Sequence, residues 1–176
     1  MWIYKNNGKQ NTARFILGEI LSSKSKNPLI CFGVNCSTAE PQSLDPTVRR
    51  VKNIAHAEGF DGWIMLNLYP ERMTRFEDLD DHAKLDLHKK NLFYIKAVFK
   101  EYPKATVWAA WGGLIMRRLF LKQCLKDIAN ATSDSNIKWV YRGSLVGGEG
   151  HPHHPLYLRN DACFYPFNIK DYLNRI

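Results

Sequence analysis

Four short apolar runs punctuate the chain, and between them apolar positions recur at helical spacing. The runs are Leu29–Val34, Trp63–Leu68, Ala105–Trp111 and Ile137–Tyr141. The first three are nearly continuous rather than alternating, the pattern of strands covered on both faces. Asp45-Pro46 predicts a helix start, because Asp caps free amides and Pro is preorganised for a first turn. Val48, Val51 and Ala55 then share one face, and Gly59 supplies a stop. A second helix is predicted from Leu85 to Tyr102, with Leu92, Ile95 and Phe99 as its stripe before Pro103. A third places Leu114, Leu121, Leu125 and Ile128 on one face between Gly113 and Asn130. An earlier helix is read over Thr12–Leu21. Strands and helices alternating in this way predict a three-layer α/β/α domain, with a mainly parallel sheet between helices.

No Pro/Gly/Ser linker divides the chain, so residues 1–176 are read as a single α/β domain. Open parallel sheets bind ligands beyond the carboxyl ends of their strands. That rule directs attention to segments 34–47, 67–75, 111–113 and 143–159.

Composition narrows the class. The chain is 45% apolar and 24% charged, which excludes wholesale disorder. Five Trp, eight Tyr and nine Phe exceed what a minimal core requires, so some rings are available to line a ligand surface. Cys31, Cys36, Cys124 and Cys163 form no paired motif and are read as reduced thiols. The N-terminus lacks the apolar stretch of a signal peptide, and no run approaches the roughly 20 apolar residues of a membrane helix. A cytoplasmic protein without membrane association is therefore expected. The net charge of +8 favours polyanionic partners: DNA, RNA or a nucleotide. Protein partners are not indicated.

The segments at the strand ends carry the candidate chemistry. Gly33-Val34-Asn35-Cys36-Ser37-Thr38-Ala39 offers compact polar groups, but neither a Walker lysine nor a dinucleotide glycine pattern. It reads either as a ligand loop or as a turn whose side chains cap its own backbone. A helix beginning at Asp45 can receive an anion at its first turn, reinforced by Arg49 or Arg50, which otherwise form a solvated face. Cys36 is read as a buried thiol in preference to a nucleophile, since no local base accompanies it. Asn67 can read an amide or base edge, Tyr69 can stack, Arg72 can bind phosphate and Thr74 can donate. Their competing roles are strand closure, peripheral core and a salt bridge. Trp111-Gly112 provides a large ring beside a close-approach position, or simply opens the next helix. His151-Pro152-His153-His154-Pro155-Leu156-Tyr157 is the most distinctive tract. His153, His154 and Tyr157 are read as polar substrate contacts, with His154 preferred. No metal site is expected, since adjacent histidines rarely converge on one ion. No cofactor is expected either.

Taken in order, these motifs resemble a bacterial family known only as domain of unknown function 1643. The family pattern of Asn-Pro-Ser-Thr-Ala, Asp-Pro-Thr, Asn-Leu-Phe, Arg-Ala-Thr, Trp-Gly and His-Pro-Leu-Tyr appears here as Asn35–Ala39, Asp45–Thr47, Asn67–Tyr69, Arg72–Thr74, Trp111-Gly112 and His154–Tyr157. Cys36 replaces a Pro, Tyr69 a Phe and Met73 an Ala. A more distant resemblance is to the uracil-DNA glycosylase superfamily, carried by the first-strand Asn35 loop, Leu66-Asn67, Trp111-Gly112 and the late His154-Pro155. That resemblance implies a four-stranded, mainly parallel sheet of order 2-1-3-4. It also implies Asn35 as a water-positioning group, His154 as support for a departing base, and a flipped base in the pocket. Asn35 is no carboxylate base, and no minor-groove wedge can be assigned. Two functions are therefore carried forward. One is a nucleotide- or nucleic-acid-acting enzyme, with N-glycosidic hydrolysis as its candidate reaction and Asn35 and His154 as catalytic groups. The other is a noncatalytic nucleic-acid or nucleotide-binding module. In either, Ser37, Thr38, Asp45, Arg49, Asn67, Tyr69, Arg72, Thr74, Trp111, Gly112, His153 and Tyr157 contact the ligand.

Overall fold

The computed structural model describes residues 1–176. Its first half contains β1 (Trp2–Asn6), β2 (Arg14–Ile20), β3 (Leu29–Gly33), α1 (Pro46–Ala57), β4 (Gly62–Asn67) and α2 (Leu85–Glu101). Then follow β5 (Thr106–Ala109), α3 (Leu119–Ala131), β6 (Lys138–Arg142), β7 (Leu145–Val146), β8 (His151–Pro152), β9 (Phe164–Pro166) and α4 (Ile169–Arg175). Seven strands form one sheet in the order β1-β2-β4-β3-β5-β6-β9, while β7 and β8 make a separate ribbon. β3 runs parallel to β4 and β5, and β6 runs parallel to β5. β1, β2 and β9 join antiparallel.

This mixed seven-stranded sheet overturns the mainly parallel, four-stranded, uracil-DNA glycosylase-like arrangement expected from the sequence. The expected helix over Thr12–Leu21 is instead β2, flanked by the unanticipated β1. A short apolar run such as Phe15-Ile16-Leu17 carries no decisive period, and tertiary pairing settles its form. Leu17 packs on one side of the sheet, and Ile16 and Ile20 on the other. Gly18 completes the reason: a Cβ there would stand 2.6 Å from the carbonyl oxygen of Trp63, so close β2–β4 pairing needs a glycine.

Side chains alternate along the central strands, as the pleat requires. Ile30, Phe32, Ile64, Leu66 and Val107 face α2 and α3, which contribute Ile95, Val98, Phe99, Leu121, Leu125 and Ile128. Leu29, Cys31, Trp63, Met65 and Trp108 face α1, which contributes Val48, Val51 and Ala55. Each such aliphatic residue stabilises the fold by about 1.5–3 kcal/mol on burial. The third helix begins at Leu119 rather than Leu114, because Gly112–Arg117 forms a 3-10 turn and Arg118 is extended. All four cysteines are free. No helix is long and apolar enough to cross a membrane.

Candidate functional site

The α1 face of the sheet is only partly covered at the strand carboxyl ends, because α1 starts there. Asp45 ends the preceding loop in extended conformation, and its Oδ1 accepts the Val48 amide at 2.8 Å. Pro46 then fixes the first turn. Between this turn and the ends of β3 and β4 lies a cleft of about 380 Å³.

The loop after β3 is held by backbone pairing that extends the sheet. Leu68 and Tyr69 donate amides to Gly33 and Val34, and Met73 donates to Cys36. The Asn35 carboxamide nitrogen donates to the carbonyls of Cys36 and Met73 at 3.2 and 3.1 Å. Two carbonyl acceptors fix the orientation of that amide, leaving its Oδ1 as the free end in the cleft. Cys36 is buried and donates its thiol to the Pro70 carbonyl at 2.8 Å. Burial pushes its pKa up, which keeps it a thiol and not a thiolate nucleophile.

Beneath the cleft is Asn67, the last residue of β4, with 1% of its surface exposed. Neither carboxamide atom has a hydrogen-bond partner. Its neighbour across the ladder is Gly33, where a Cβ would stand 2.9 Å from Asn67 Oδ1 and 2.8 Å from Met65 Cε. Gly33 and Met65 line the cleft, so the Asn67 amide lies directly behind its wall rather than in it. Asn91 of α2 secures the strand end by donating to the Asn67 and Leu68 carbonyls at 3.0 and 3.3 Å.

His154 stands between the cleft and a second hollow of about 330 Å³, since it lines both together with Leu114. Its Nδ1 accepts the Leu156 amide, which leaves Nε2 to carry the proton of the neutral ring. Burial lowers its pKa, with the charge of Asp45 opposing. His154 is thus a neutral donor near pH 7. The second hollow is walled by Trp111, Gly112, His153 and Tyr157. A polarised chain stiffens its floor: Trp111 Nε1 donates to Tyr172 Oη at 3.1 Å, and Tyr172 lies 2.8 Å from His151 Nδ1. Glu149, 3.4 Å from His151 Nε2, favours the tautomer with its proton there, which leaves Nδ1 to accept from the tyrosine hydroxyl. Arg50 ties this loop to α1 by donating to the carbonyls of Pro155 and Leu158.

The predicted residues divide accordingly. Asn35, Ser37, Thr38, Asp45, Thr74 and His154 line the cleft. Trp111, Gly112, His153 and Tyr157 gather in the adjoining hollow, again with His154. Arg49 lines a third depression with Arg50 and Arg142, separated from the cleft by Pro46. Asn67, Tyr69 and Arg72 line neither space. Tyr69 is fully buried against Phe120, with its hydroxyl accepting the Lys84 amide. Arg72 clamps the first loop, donating to the Ser37 carbonyl at 2.6 Å and Tyr4 Oη at 2.7 Å. Arg14 was not anticipated. The first residue of β2, it lines the cleft while remaining 1% exposed, and no motif singled it out because its segment was read as a helix. No group of three His, Cys, Asp or Glu side chains is placed to hold a metal ion.

One comparison assigns a family. The model of the family described as protein of unknown function (DUF1643) matches residues 14–156, a span that begins at Arg14 and includes every cleft residue. No curated protein and no solved structure matches the chain.

Proposed function

Starting from a chain that belongs to the DUF1643 family, we propose that the cleft takes up a nucleotide, free or within a nucleic acid, and acts on it. The carrying observation is the buried Asn67 carboxamide with both polar atoms unpartnered. Such a group costs free energy in the empty protein and recovers it when a ligand presents a matching donor–acceptor edge. Nucleobases present such edges. The neighbouring hollow offers the exposed Tyr157 ring for stacking.

N-glycosidic hydrolysis is the candidate reaction. Asn35 Oδ1 holds a water, whose oxygen adds to the anomeric carbon as the C–N bond breaks. The bonding electrons leave on the base, where the neutral His154 Nε2–H supports the developing charge. The water proton passes to Asp45, the carboxylate in the cleft. A purely binding role is the second reading, favoured by the engagement of one Asp45 oxygen in capping α1.

The test is a panel of nucleosides, nucleotides, and single and double strands carrying uracil, mismatched or damaged bases, assayed for binding and base release. Binding that is lost in a folded Asn67→Leu variant supports the reading. Release of free base, lost in Asn35→Ala, supports the enzyme; binding without release across the panel leaves the binding module. Absence of both binding and release refutes the proposal.

A further inference from the structure

We propose that Arg14, with the first turn of α1, forms an anion subsite in the cleft, built for the phosphate group of the ligand. The identification of that phosphate as a nucleotide's rests on the function proposed above.

The guanidinium of Arg14 makes one hydrogen bond, from Nη1 to the Ala39 carbonyl at 2.9 Å. Its Nε is buried without a partner, and no carboxylate lies within ion-pair distance. Arginine carries five donors in a planar fork, so most of its bonding capacity is unused. A buried charge is normally paired, and an unpaired one is costly. The surroundings do not neutralise it. Arg72 adds a like charge, and Cys36 is held as a neutral thiol by burial. Glu40 is taken by Arg72 and by Asn11, at 3.5 and 2.6 Å. Asp45 is the acid felt across the cleft, but its Oδ1 is bound to the Val48 amide.

The second component faces the same space. α1 is 12 residues long, and its first residues Pro46, Thr47 and Val48 line the cleft. Pro46 has no amide hydrogen, and those of Val48 and Arg49 go to Asp45, so the Thr47 amide is the free first-turn donor. With the positive end of the helix dipole it favours an anion there. Ser37, Thr38 and Thr47 place hydroxyl-bearing residues around the same volume. A buried fork, a helix start and hydroxyls together match a tetrahedral oxyanion better than a single carbonyl.

The experiment is calorimetric titration and thermal shift at constant ionic strength, with inorganic phosphate, chloride, a nucleoside and its monophosphate. Phosphate is expected to raise Tm above the chloride control. The monophosphate should bind at least about tenfold more tightly than the nucleoside, near 1.4 kcal/mol. Arg14→Met should bring that ratio to about unity. Should Arg14→Met not fold, Thr47→Val must lower the ratio, and inorganic phosphate must compete with the monophosphate in the unmodified protein. Phosphate no better than chloride, or a ratio near one in the unmodified protein, overturns the subsite. Phosphate binding without any nucleoside or nucleotide preference keeps the subsite and refutes the nucleotide reading instead.

Discussion

Replacing Asn67 by Leu separates stability from ligand recognition. The two side chains branch alike at Cγ, so Leu puts methyl groups where the carboxamide atoms now lie. Asn67 is 1% exposed and both of those atoms lack partners. An uncompensated buried amide costs about 1–3 kcal/mol. Leu, branched like Asn, takes the space the amide now fills against Gly33, where any Cβ would stand 2.9 Å from Oδ1. Asn67→Leu should therefore stabilise the protein by roughly 2 kcal/mol, a rise in Tm of about 4–8 °C for a chain of this size. Urea denaturation should show a higher midpoint with an unchanged m value. Ligand binding should fall at the same time, because the donor–acceptor edge is gone. A variant destabilised by more than about 1 kcal/mol would show that the amide has partners in solution and is a structural group. Buried water is the obvious alternative partner.

Gly33→Ala should act from the other side of the same space. Its Cβ would meet Met65 Cε at 2.8 Å and Asn67 Oδ1 at 2.9 Å, so a loss of about 1–3 kcal/mol and weaker ligand binding are expected; an unperturbed variant in urea melts and titrations refutes the packing argument. Asp45→Ala removes the cap on Val48 and should cost about 1 kcal/mol, measured by denaturation. Asp45→Asn keeps a capping oxygen, so near-native stability with base release lost would assign the carboxylate to chemistry. Acidification should destabilise the protein, because burial lowers the pKa of both His151 and His154. Unfolded imidazoles protonate near about pH 6.5 and these at lower pH, so the unfolded state binds more protons and stability falls from about pH 7 downward. Urea midpoints across that window check the sign; a rise on acidification contradicts it.

The central strands were legible because they are short, apolar and bounded by polar ends. Leu29–Gly33 and Gly62–Asn67 lie within a residue of the runs read from sequence. Asp45-Pro46 marked α1 because capping is a local interaction, completed by an amide three residues away. β2 was not legible, since Gly18 and Gly62 show their purpose only when β2 and β4 are brought together. Arg72 shows the same limit within the site. An arginine beside a strand end reads as a phosphate contact, yet its donors go to Ser37 and Tyr4, the latter 68 residues away. Asn91 was equally hidden: it lies in the middle of a helix, and only the tertiary fold puts its amide on the end of β4.

What distinguishes the cleft is where the fold leaves hydrogen-bonding capacity unused. Several other buried groups also have an unpartnered atom, but most are anchored through another. Glu71 pairs with Lys84, His88 with Asp127 at 2.8 Å, and Arg142 with Glu58 at 2.7 Å. Asn67, like Trp63 and Trp108, has no side-chain bond at all, but it alone of the three leaves both a donor and an acceptor unmet; Arg14 is a buried cation with one neutral acceptor. The two belong to strands that meet at β2–β4, and both are associated with the open end of the α1 face. On the proposed reading, Asn67 and Arg14 lie near the carboxyl ends of β3 and β4, beside a helix start and a neutral histidine donor, as a preorganised ligand site would need. If the proposal holds, ligand and fold are coupled: a ligand that satisfies Arg14 and Asn67 would stabilise the protein in proportion to its affinity.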